Sequence, residues 1–140
     1  VGLQVDGFEL EVKGQVNDQL YMQLGYSNMD GTTSSGGEPR EIPDHTLSLW
    51  TTYQVNDQFG YGIGFTRQGD SNISNNKPGL ILPEYTRVDF AAYYDVSEDL
   101  AIRLNIENLT DKVYFPHSHS THQASVGEEV NARLSITRRF

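Results

Sequence analysis

The final stretch of the chain, residues 128–140, alternates between apolar and polar side chains. It reads EEVNARLSITRRF, with an apolar residue at every second position from Val130 to Ile136 and again at Phe140. Because successive side chains of a β-strand point to opposite faces, the pattern predicts a strand with one apolar and one polar face. Two structures use such a strand. One is the half-solvated edge of a soluble sandwich. The other is a membrane-spanning strand of a barrel, with lipid on its apolar side and a wet lumen on the other.

The rest of the chain favours the barrel. Six more segments alternate in the same way, and they are joined in turn by short polar turns and long polar loops. Outer-membrane barrels have short periplasmic turns and long extracellular loops, whereas a sandwich need not keep this rhythm. About seven antiparallel strands are therefore predicted. The additional strand segments are residues 2–16, 20–27, 45–55, 59–65, 85–96 and 102–107, and the long loops are 29–44, 68–83 and 116–127.

Composition agrees with strands that have one wet face, and it excludes several classes of protein. Only 36% of the residues are hydrophobic, which is below the usual share in soluble domains, yet 13 are glycine and 8 are tyrosine. No apolar run is long enough for a membrane-spanning helix. The net charge of −9 argues against a nucleic-acid partner. Because cysteine is absent, the chain has no disulfide framework, no thiolate zinc site and no cysteine nucleophile.

The sequence also lacks the motifs of common catalytic sites. It contains no Gly-x-Ser-x-Gly elbow, no P-loop and no His-Glu-x-x-His helix. Asp44 and His45 are adjacent, but no serine is singled out by its surroundings to complete a hydrolytic triad. We therefore expect a protein that is not an enzyme.

One predicted strand has glycine at every second position. Gly60, Gly62 and Gly64 alternate with aromatic and aliphatic residues between Phe59 and Phe65. In a soluble core the bare face of such a strand would leave a void. Facing a wide lumen it would lose little packing, so the sequence predicts an uncovered glycine row there.

Residues 83–115 carry the motifs of a known family. They read PEYTRVDFAAYYDVSEDLAIRLNIENLTDKVYF. This segment resembles the penultimate hairpin of TonB-dependent siderophore receptors, in which a Pro-x-Tyr-x-x-x-Asp strand and a short turn precede an Asn-x-x-Asn-Leu-x-Asp-Lys-x-Tyr strand. GFELE at 7–11 and PDHTLSLW at 43–50 are similar to earlier strands of that family, in the same order, so the resemblance covers essentially the whole chain. The matching hairpin positions are Pro83, Tyr85, Asp89, Asn105, Asn108, Leu109, Asp111, Lys112 and Tyr114.

The resemblance implies an all-β fold, an antiparallel transmembrane β-barrel of 22 strands closed around a plug. Residues 1–140 would be the C-terminal part of that single barrel domain, and the plug domain and the N-terminal strands would be absent from this chain. The family takes up ferric siderophores across the outer membrane of Gram-negative cells, with energy supplied through TonB. The Gly127 region and the histidine-rich last loop look more like receptors for catecholate-type chelates.

The same resemblance implies the partners of the protein. They are a ferric siderophore as the transported ligand, with no cofactor; outer-membrane lipid; the TonB complex, through the missing N-terminal part; and the barrel-assembly machinery, through the terminal Phe140. Arg138 departs from the family pattern, which usually has an aromatic residue two positions before the last phenylalanine. The alternative function is a small outer-membrane or secreted β-protein that acts as a binding or structural module without transport.

Three histidines in the last long loop are candidate ligand-binding residues. His117, His119 and His122 form a His-x-His-x-x-His pattern. Imidazoles at this spacing can bind a divalent metal, donate hydrogen bonds to a ferric chelate, or be plain loop residues. Ferric iron is a hard ion that siderophore oxygens hold, so the histidines need not be iron ligands, and we assign no metal site.

Four other residues complete the candidate ligand-binding set. Arg67 and Lys77 lie at the second long loop, where positive charge would attract an anionic chelate. Tyr114 and Phe115 sit where the sixth predicted strand leaves the membrane. They belong either to the aromatic girdle at the membrane surface, which we favour, or to the aromatic wall of a binding pocket.

The alternation assigns each strand residue to a face, and substitution tests the assignment. Arginine in place of Leu104, on the predicted lipid face, should lower the free energy of unfolding in bilayers by about 2–4 kcal/mol, because the charge meets hydrocarbon. Arginine in place of Asn105, on the lumen face, should have far less effect. Denaturant titration in vesicles measures both, and equal losses would contradict a membrane location. The predicted lipid-facing set is Phe90, Leu104, Ile106, Leu134 and Ile136, and the lumen-facing set is Arg87, Arg103, Asn105 and Arg133.

Overall fold

Nearly all of the regular structure is β. The computed structural model describes residues 2–75 and 79–140. The described residues include one short 3₁₀ helix, Ser120–His122, and contain no helix that is long and apolar enough to cross a membrane. The strands are β1 Leu3–Gln15, β2 Leu20–Thr33, β3 His45–Gln54, β4 Phe59–Gln68, β5 Ser71–Asn72, β6 Ile81–Leu82, β7 Tyr85–Ser97, β8 Leu100–Glu107, β9 His117–Ser118, β10 Ala124–Ser125 and β11 Asn131–Arg138.

Seven of these strands form one antiparallel sheet in the order β1-β2-β3-β4-β7-β8-β11. Each strand therefore pairs with the next long strand along the chain. The four short strands form two hairpins, β5 with β6 and β9 with β10, inside the second and third long loops. The all-β, antiparallel, seven-stranded fold predicted from the sequence is confirmed. β1 and β11 stand at opposite edges of the sheet, so the described strands do not close into a barrel by themselves.

The sheet is a single layer without a packed core. Among the described residues, the buried hydrophobic side chains are only Leu82, Ala91 and Tyr114. In a sandwich, each sheet buries one face against the other, and a domain of 140 residues would bury many more apolar side chains. The sandwich alternative is therefore wrong, and the sheet has the thickness of a barrel wall.

Strand register gathers the apolar side chains on one face of the sheet. Residues directly opposite each other in an antiparallel pair point to the same side. Register pairs Phe90 with Ile106 and Leu104 with Leu134 on the apolar side. It pairs Asn105 with Arg133 on the polar side. The predicted division into an apolar face and a polar face is thus confirmed. One apolar row consists of Leu24, Leu49, Phe65 and Val88, and the neighbouring polar row consists of Ser48, Thr66 and Arg87.

The apolar face ends before the strands do. In β2 its apolar side chains run from Leu20 to Tyr26, which is about 20 Å along a strand and comparable with the roughly 25 Å apolar band of outer-membrane barrels. β2 nevertheless continues to Thr33, opposite Leu3. The predicted loop 29–44 therefore begins inside a strand. The reason is that β1 provides backbone hydrogen-bond partners along this length whatever the side chains are.

Two of the short turns share one sequence and one geometry. The pentapeptide QVNDQ occurs at 15–19 and again at 54–58. In the first turn, the Asn17 side-chain oxygen accepts the backbone N–H groups two and three positions ahead, both at 2.9 Å, and Gln15 Nε2 donates to the Asn17 carbonyl at 2.7 Å. The second turn repeats all three bonds around Asn56. Asparagine favours such turns because its side chain substitutes for a backbone acceptor.

The glycine row of β4 is covered, contrary to the prediction. The indole of Trp50, on β3, lies over it. A Cβ added to Gly64 would be 2.5 Å from Trp50 Cε3, and a Cβ added to Gly62 would be 2.6 Å from Trp50 Cζ2. Register places Trp50 directly opposite Gly64. Glycine is needed at these positions because the ring fills the space that their side chains would occupy.

Substitution of Gly64 by alanine should destabilise the barrel by about 1–3 kcal/mol, because the new methyl group overlaps the indole. In a Trp50→Ala background most of this loss should disappear, since the next neighbour of that methyl, Asp89 Cβ, is at 3.6 Å. Gly25→Ala is the matched control, because its Cβ would meet nothing within 4 Å. Denaturant titration of the wild type, the two single variants and the double variant measures the coupling. Gly25→Ala is titrated beside them, and equal effects at Gly64 and Gly25 would contradict this packing.

Candidate functional site

The long loops lie at one end of the sheet because consecutive antiparallel strands return the chain to the same side. We call the described residues of segments 34–44, 69–84 and 116–127 the loop cap. Asn72 joins the first two segments. Its carbonyl accepts the Glu41 N–H at 2.9 Å, and its side-chain amide donates to Glu38 Oε2 at 2.6 Å. The first two loops are therefore bonded to each other.

Glu41 connects the first loop to the third. Its Oε1 accepts the backbone N–H of Ser118 at 3.1 Å, while its own backbone is left-handed, with φ 58°. That conformation costs a non-glycine residue on the order of 1–3 kcal/mol. The Ser118 side chain is buried, and within the described part of the chain its hydroxyl oxygen has no hydrogen-bond partner. The junction thus combines backbone strain with an unused polar group, which is typical of places where a ligand or a motion exchanges contacts.

The three candidate histidines are exposed on the third loop. His117 lies in β9, opposite Ser125. His119 precedes the 3₁₀ helix, and His122 is its last residue. The rings of His119 and His122 are 5.9 Å apart and perpendicular. Within residues 2–75 and 79–140, no three side chains of metal-binding type come together. The arrangement offers imidazole N–H donors to solvent and lacks the ligand number of a protein metal centre.

One of the two candidate cations, Arg67, is held by a carboxylate. Arg67 pairs with Leu47 in register and so lies on the apolar side of the sheet, at the end of the strands that carries the long loops. Its guanidinium contacts Glu84 Oε2 at 2.6 Å and His45 Nε2 at 3.5 Å. The charge is therefore already neutralised by a neighbouring carboxylate. Lys77 lies outside the described residues.

Tyr114 lies on the polar side of the sheet and not in the aromatic girdle that the sequence favoured. Its ring centroid is 4.6 Å from that of Tyr85, its hydroxyl accepts a hydrogen bond from Arg87 Nη1 at 3.4 Å, and only 6% of its surface is exposed. Gly127 lies against the same ring, where any side chain would overlap it. The missing Cβ lets the ring dock there. Phe115, the next residue, is half-buried, and its role stays a prediction.

An acidic cleft of about 510 Å³, which the sequence did not reveal, opens between the first two loops. Four carboxylates line it, three from residues 30–44 and one from the second loop. Burial raises the pKa of the Asp44 carboxyl, and repulsion from Asp70 and Glu38 raises it further, although the neighbouring His45 opposes the shift. A net negative surface of this kind repels anions and attracts cations. The lining carboxylates are Asp30, Glu38, Asp44 and Asp70.

Comparison with known proteins identifies the setting of this site. The family model described as TonB dependent receptor-like, beta-barrel, matches residues 2–109. The probable TonB-dependent siderophore receptor PiuA of Acinetobacter baumannii is 29% identical over 98% of the chain, which covers 21% of that protein. The probable TonB-dependent receptor BfrD of Bordetella pertussis is 30% identical over 95% of the chain and 20% of its own length.

Solved structures agree with the sequence matches. The siderophore receptor PiuA from Acinetobacter baumannii superposes with a TM-score of 0.82 at 30% identity, over 97% of this chain and 22% of that one. The ferric-catecholate import receptor Fiu of Escherichia coli superposes with a TM-score of 0.87 at 25% identity, over 99% of this chain and 21% of that one. The chain spans about a fifth of the length of the relatives it matches. It belongs to the TonB-dependent receptor family, as part of the β-barrel.

Proposed function

We propose that this chain forms part of the wall and of the extracellular mouth of an outer-membrane receptor that takes up ferric siderophores with energy from the TonB complex. The observation that supports this most is the single-layer sheet, apolar on one face and polar on the other, with three long loops joined at one end. An apolar face that meets lipid and a polar face that meets a lumen give each side of the sheet its solvent. Membership of a receptor family also favours transport over catalysis.

In such uptake the ferric ion is cargo, held by the oxygens of its chelate. The loop cap therefore has to recognise the outside of the chelate and not the metal. The exposed imidazoles of His119 and His122 can donate N–H hydrogen bonds to chelate oxygens. The unused hydroxyl of Ser118, beside Glu41, supplies a further donor when the third loop separates from the first. Below the loops, the buried Tyr114 ring packs on Tyr85 and supports the polar face from within.

The proposed ligand is a catecholate-type chelate, which carries negative charge. The acidic cleft would repel it, so the chelate must approach the histidine-bearing loop, which carries no acidic residue between Pro116 and Gly127. Hydrogen-bond donors on a loop that has no carboxylate of its own suit an anionic ligand. A catecholate receptor is among the matched proteins, and others are named for ferrioxamine and pyoverdine. The charge of the third loop is thus the local support for this preference.

The alternative of a small module that works without transport has less support. A self-contained barrel would pair its first strand with its last, whereas β1 and β11 are opposite edges of the sheet. Both edge strands expose backbone N–H and C=O groups, which the neighbouring strands of a larger barrel would pair. Location in the outer membrane, and engagement of the assembly machinery by Phe140, complete the proposal. The Arg138 guanidinium lies 5.4 Å from the centre of the exposed Phe140 ring, where the family usually has an aromatic side chain.

Replacement of His117, His119 and His122 together by alanine in the full-length receptor should weaken ferric catecholate binding by about 2–4 kcal/mol, because two or three hydrogen bonds to a charged ligand are lost. Fluorescence quenching measures the affinity. Assembly should be unchanged, because the loop lies outside the seven-stranded sheet, and heat-modifiable gel migration checks this. Gln123→Ala in the same loop is the matched control.

Three further arms interpret the result. A ferric hydroxamate should lose less affinity than the catecholate, and equal losses would contradict the catecholate preference. If the histidines held a metal, a chelator would reproduce the loss and zinc would restore the wild type only, and we expect neither effect. Unchanged catecholate affinity in an assembled triple variant would remove the histidines from the site.

The raised pKa of Asp44 predicts that the loop cap loosens as pH rises. In the closed state, the first two loops pack together as in this structure. At low pH the Asp44 carboxyl is neutral both in this state and in the unfolded loop, so it does not destabilise the packing. As pH rises through the raised pKa of the closed state, the carboxylate ionises beside Asp70 and Glu38, and the closed state loses stability. Asp44→Asn should therefore increase resistance of the first loop to proteolysis at neutral pH and reduce its pH dependence. Asp18→Asn, in a turn at the opposite end, is the control, and an Asp44 variant that is cleaved like the wild type at every pH would refute the prediction.

A further inference from the structure

A compact turn that follows β8, residues 108–112, holds the start of the last strand through two side chains. We propose that Asn108 and Asp111 form a clamp that sets the register of β11 on β8, independently of the long loop between them. The role of both residues is positioning.

Asn108 uses its whole side chain in this clamp. Its Oδ1 accepts the Lys112 N–H at 2.9 Å, and its Nδ2 donates to the Lys112 carbonyl at 2.9 Å and to the Glu128 carbonyl at 3.0 Å. The residue is 1% exposed and left-handed, with φ 52°. Asparagine tolerates that conformation better than most residues. Aspartate would also tolerate it but has no N–H groups to donate, so only an amide satisfies both carbonyls.

Asp111 provides the second hold on β11, and the turn is itself fixed to β7. The Asp111 Oδ1 accepts the Val130 N–H at 3.0 Å, one residue before β11 begins. On the other side, the Asn108 N–H donates to Asp89 Oδ1 at 2.9 Å, and the Leu109 N–H donates to the Val88 carbonyl at 2.7 Å. The turn therefore transmits the position of β7 to the first residues of β11.

Side-chain alternation alone does not fix the register of β11 on β8. A slip of one residue would exchange the two faces of β11 and is strongly disfavoured. A slip of two residues keeps every apolar side chain on the apolar face, so the pattern that opens the sequence does not prevent it. The connection between the paired strands, residues 108–130, is long, and long flexible connections specify register weakly. Bonds to Glu128 and Val130 close the hairpin at its base and leave the rest of the loop as an excursion.

The part of the loop beyond the clamp is closed by a separate backbone hydrogen bond. The Gly127 N–H donates to the Tyr114 carbonyl at 2.8 Å, above the clamp and below the histidines. The loop can therefore change length or conformation without moving β11. The position of β11 matters because its second edge is unpaired in this sheet, and a shifted edge would offer its hydrogen-bonding groups out of phase to the strand that joins it.

Disulfide trapping in the full-length receptor tests the clamp. Leu104 lies directly opposite Leu134, and Ala132 is its diagonal neighbour. Opposite Cα atoms, at about 4.5–5.5 Å, are within disulfide range, whereas diagonal ones, at about 7–8 Å, are beyond it. The pair Leu104→Cys with Leu134→Cys therefore reports the native register, and Leu104→Cys with Ala132→Cys reports a two-residue slip. This chain has no cysteine of its own to interfere.

Asn108→Gly combined with Asp111→Gly keeps the left-handed backbone accessible and removes the side-chain bonds. We expect the ratio of native to slipped disulfide yield to fall about tenfold, because several hydrogen bonds that favour one register are lost together. Asn105→Ala, which removes an amide from the paired part of β8, should leave the ratio unchanged. Replacement of residues 117–125 by a short glycine–serine link should also leave it unchanged, since the clamp lies below that segment.

If the double variant does not reach the membrane, the same cysteine pairs are compared after refolding from urea into detergent micelles. A native ratio in the double variant, in either preparation, would overturn the proposal. So would a register change in the shortened-loop receptor, because the long loop and not the clamp would then be holding β11.

Discussion

Backbone pairing in a fixed register is the interaction on which the rest of this chain depends. A single sheet without a second layer has no packed core to correct an error, and a one-residue shift would expose its apolar face to the lumen. Register brings Trp50 over Gly64, aligns Phe90 with Ile106, and leaves the loops at one end. In a membrane every backbone group must find its partner within the protein. The hydrogen-bond ladder therefore carries the specificity that side-chain packing provides in a soluble domain.

Features that depend on neighbours along the chain were predictable from the sequence. Alternation with a period of two identified all seven strands of the main sheet, and the polar residues between them marked the short turns. The resemblance to receptors of the TonB-dependent family was carried by motifs around Asn108, and the family match bears it out. The sequence alone did not show what that asparagine does, because its partner Glu128 lies 20 positions away.

Features that depend on contacts across strands were missed, for a physical reason. Whether a glycine row is bare or covered depends on which residue register places opposite it, and Trp50 belongs to another strand. The acidic cleft brings Asp70 of the second loop beside the carboxylates of residues 30–44, and that contact is not visible along the chain. Arg67 looked free to attract an anion, yet the fold gives it Glu84, 17 positions along the chain. Tyr114 was expected in the aromatic girdle, but its ring lies on the polar side, where Gly127 leaves room for it.

The absence of a core on the apolar side has a consequence for how such a chain can diverge. Fluid hydrocarbon accepts any apolar shape, so Leu, Ile, Val and Phe are nearly interchangeable at positions such as Leu24 or Leu134, and drift there meets little resistance. On the polar side, the indole of Trp50 and the glycines beneath it fit as one unit, and a change in one requires a change in another. Two rates of evolution should therefore alternate, residue by residue, along the same strand.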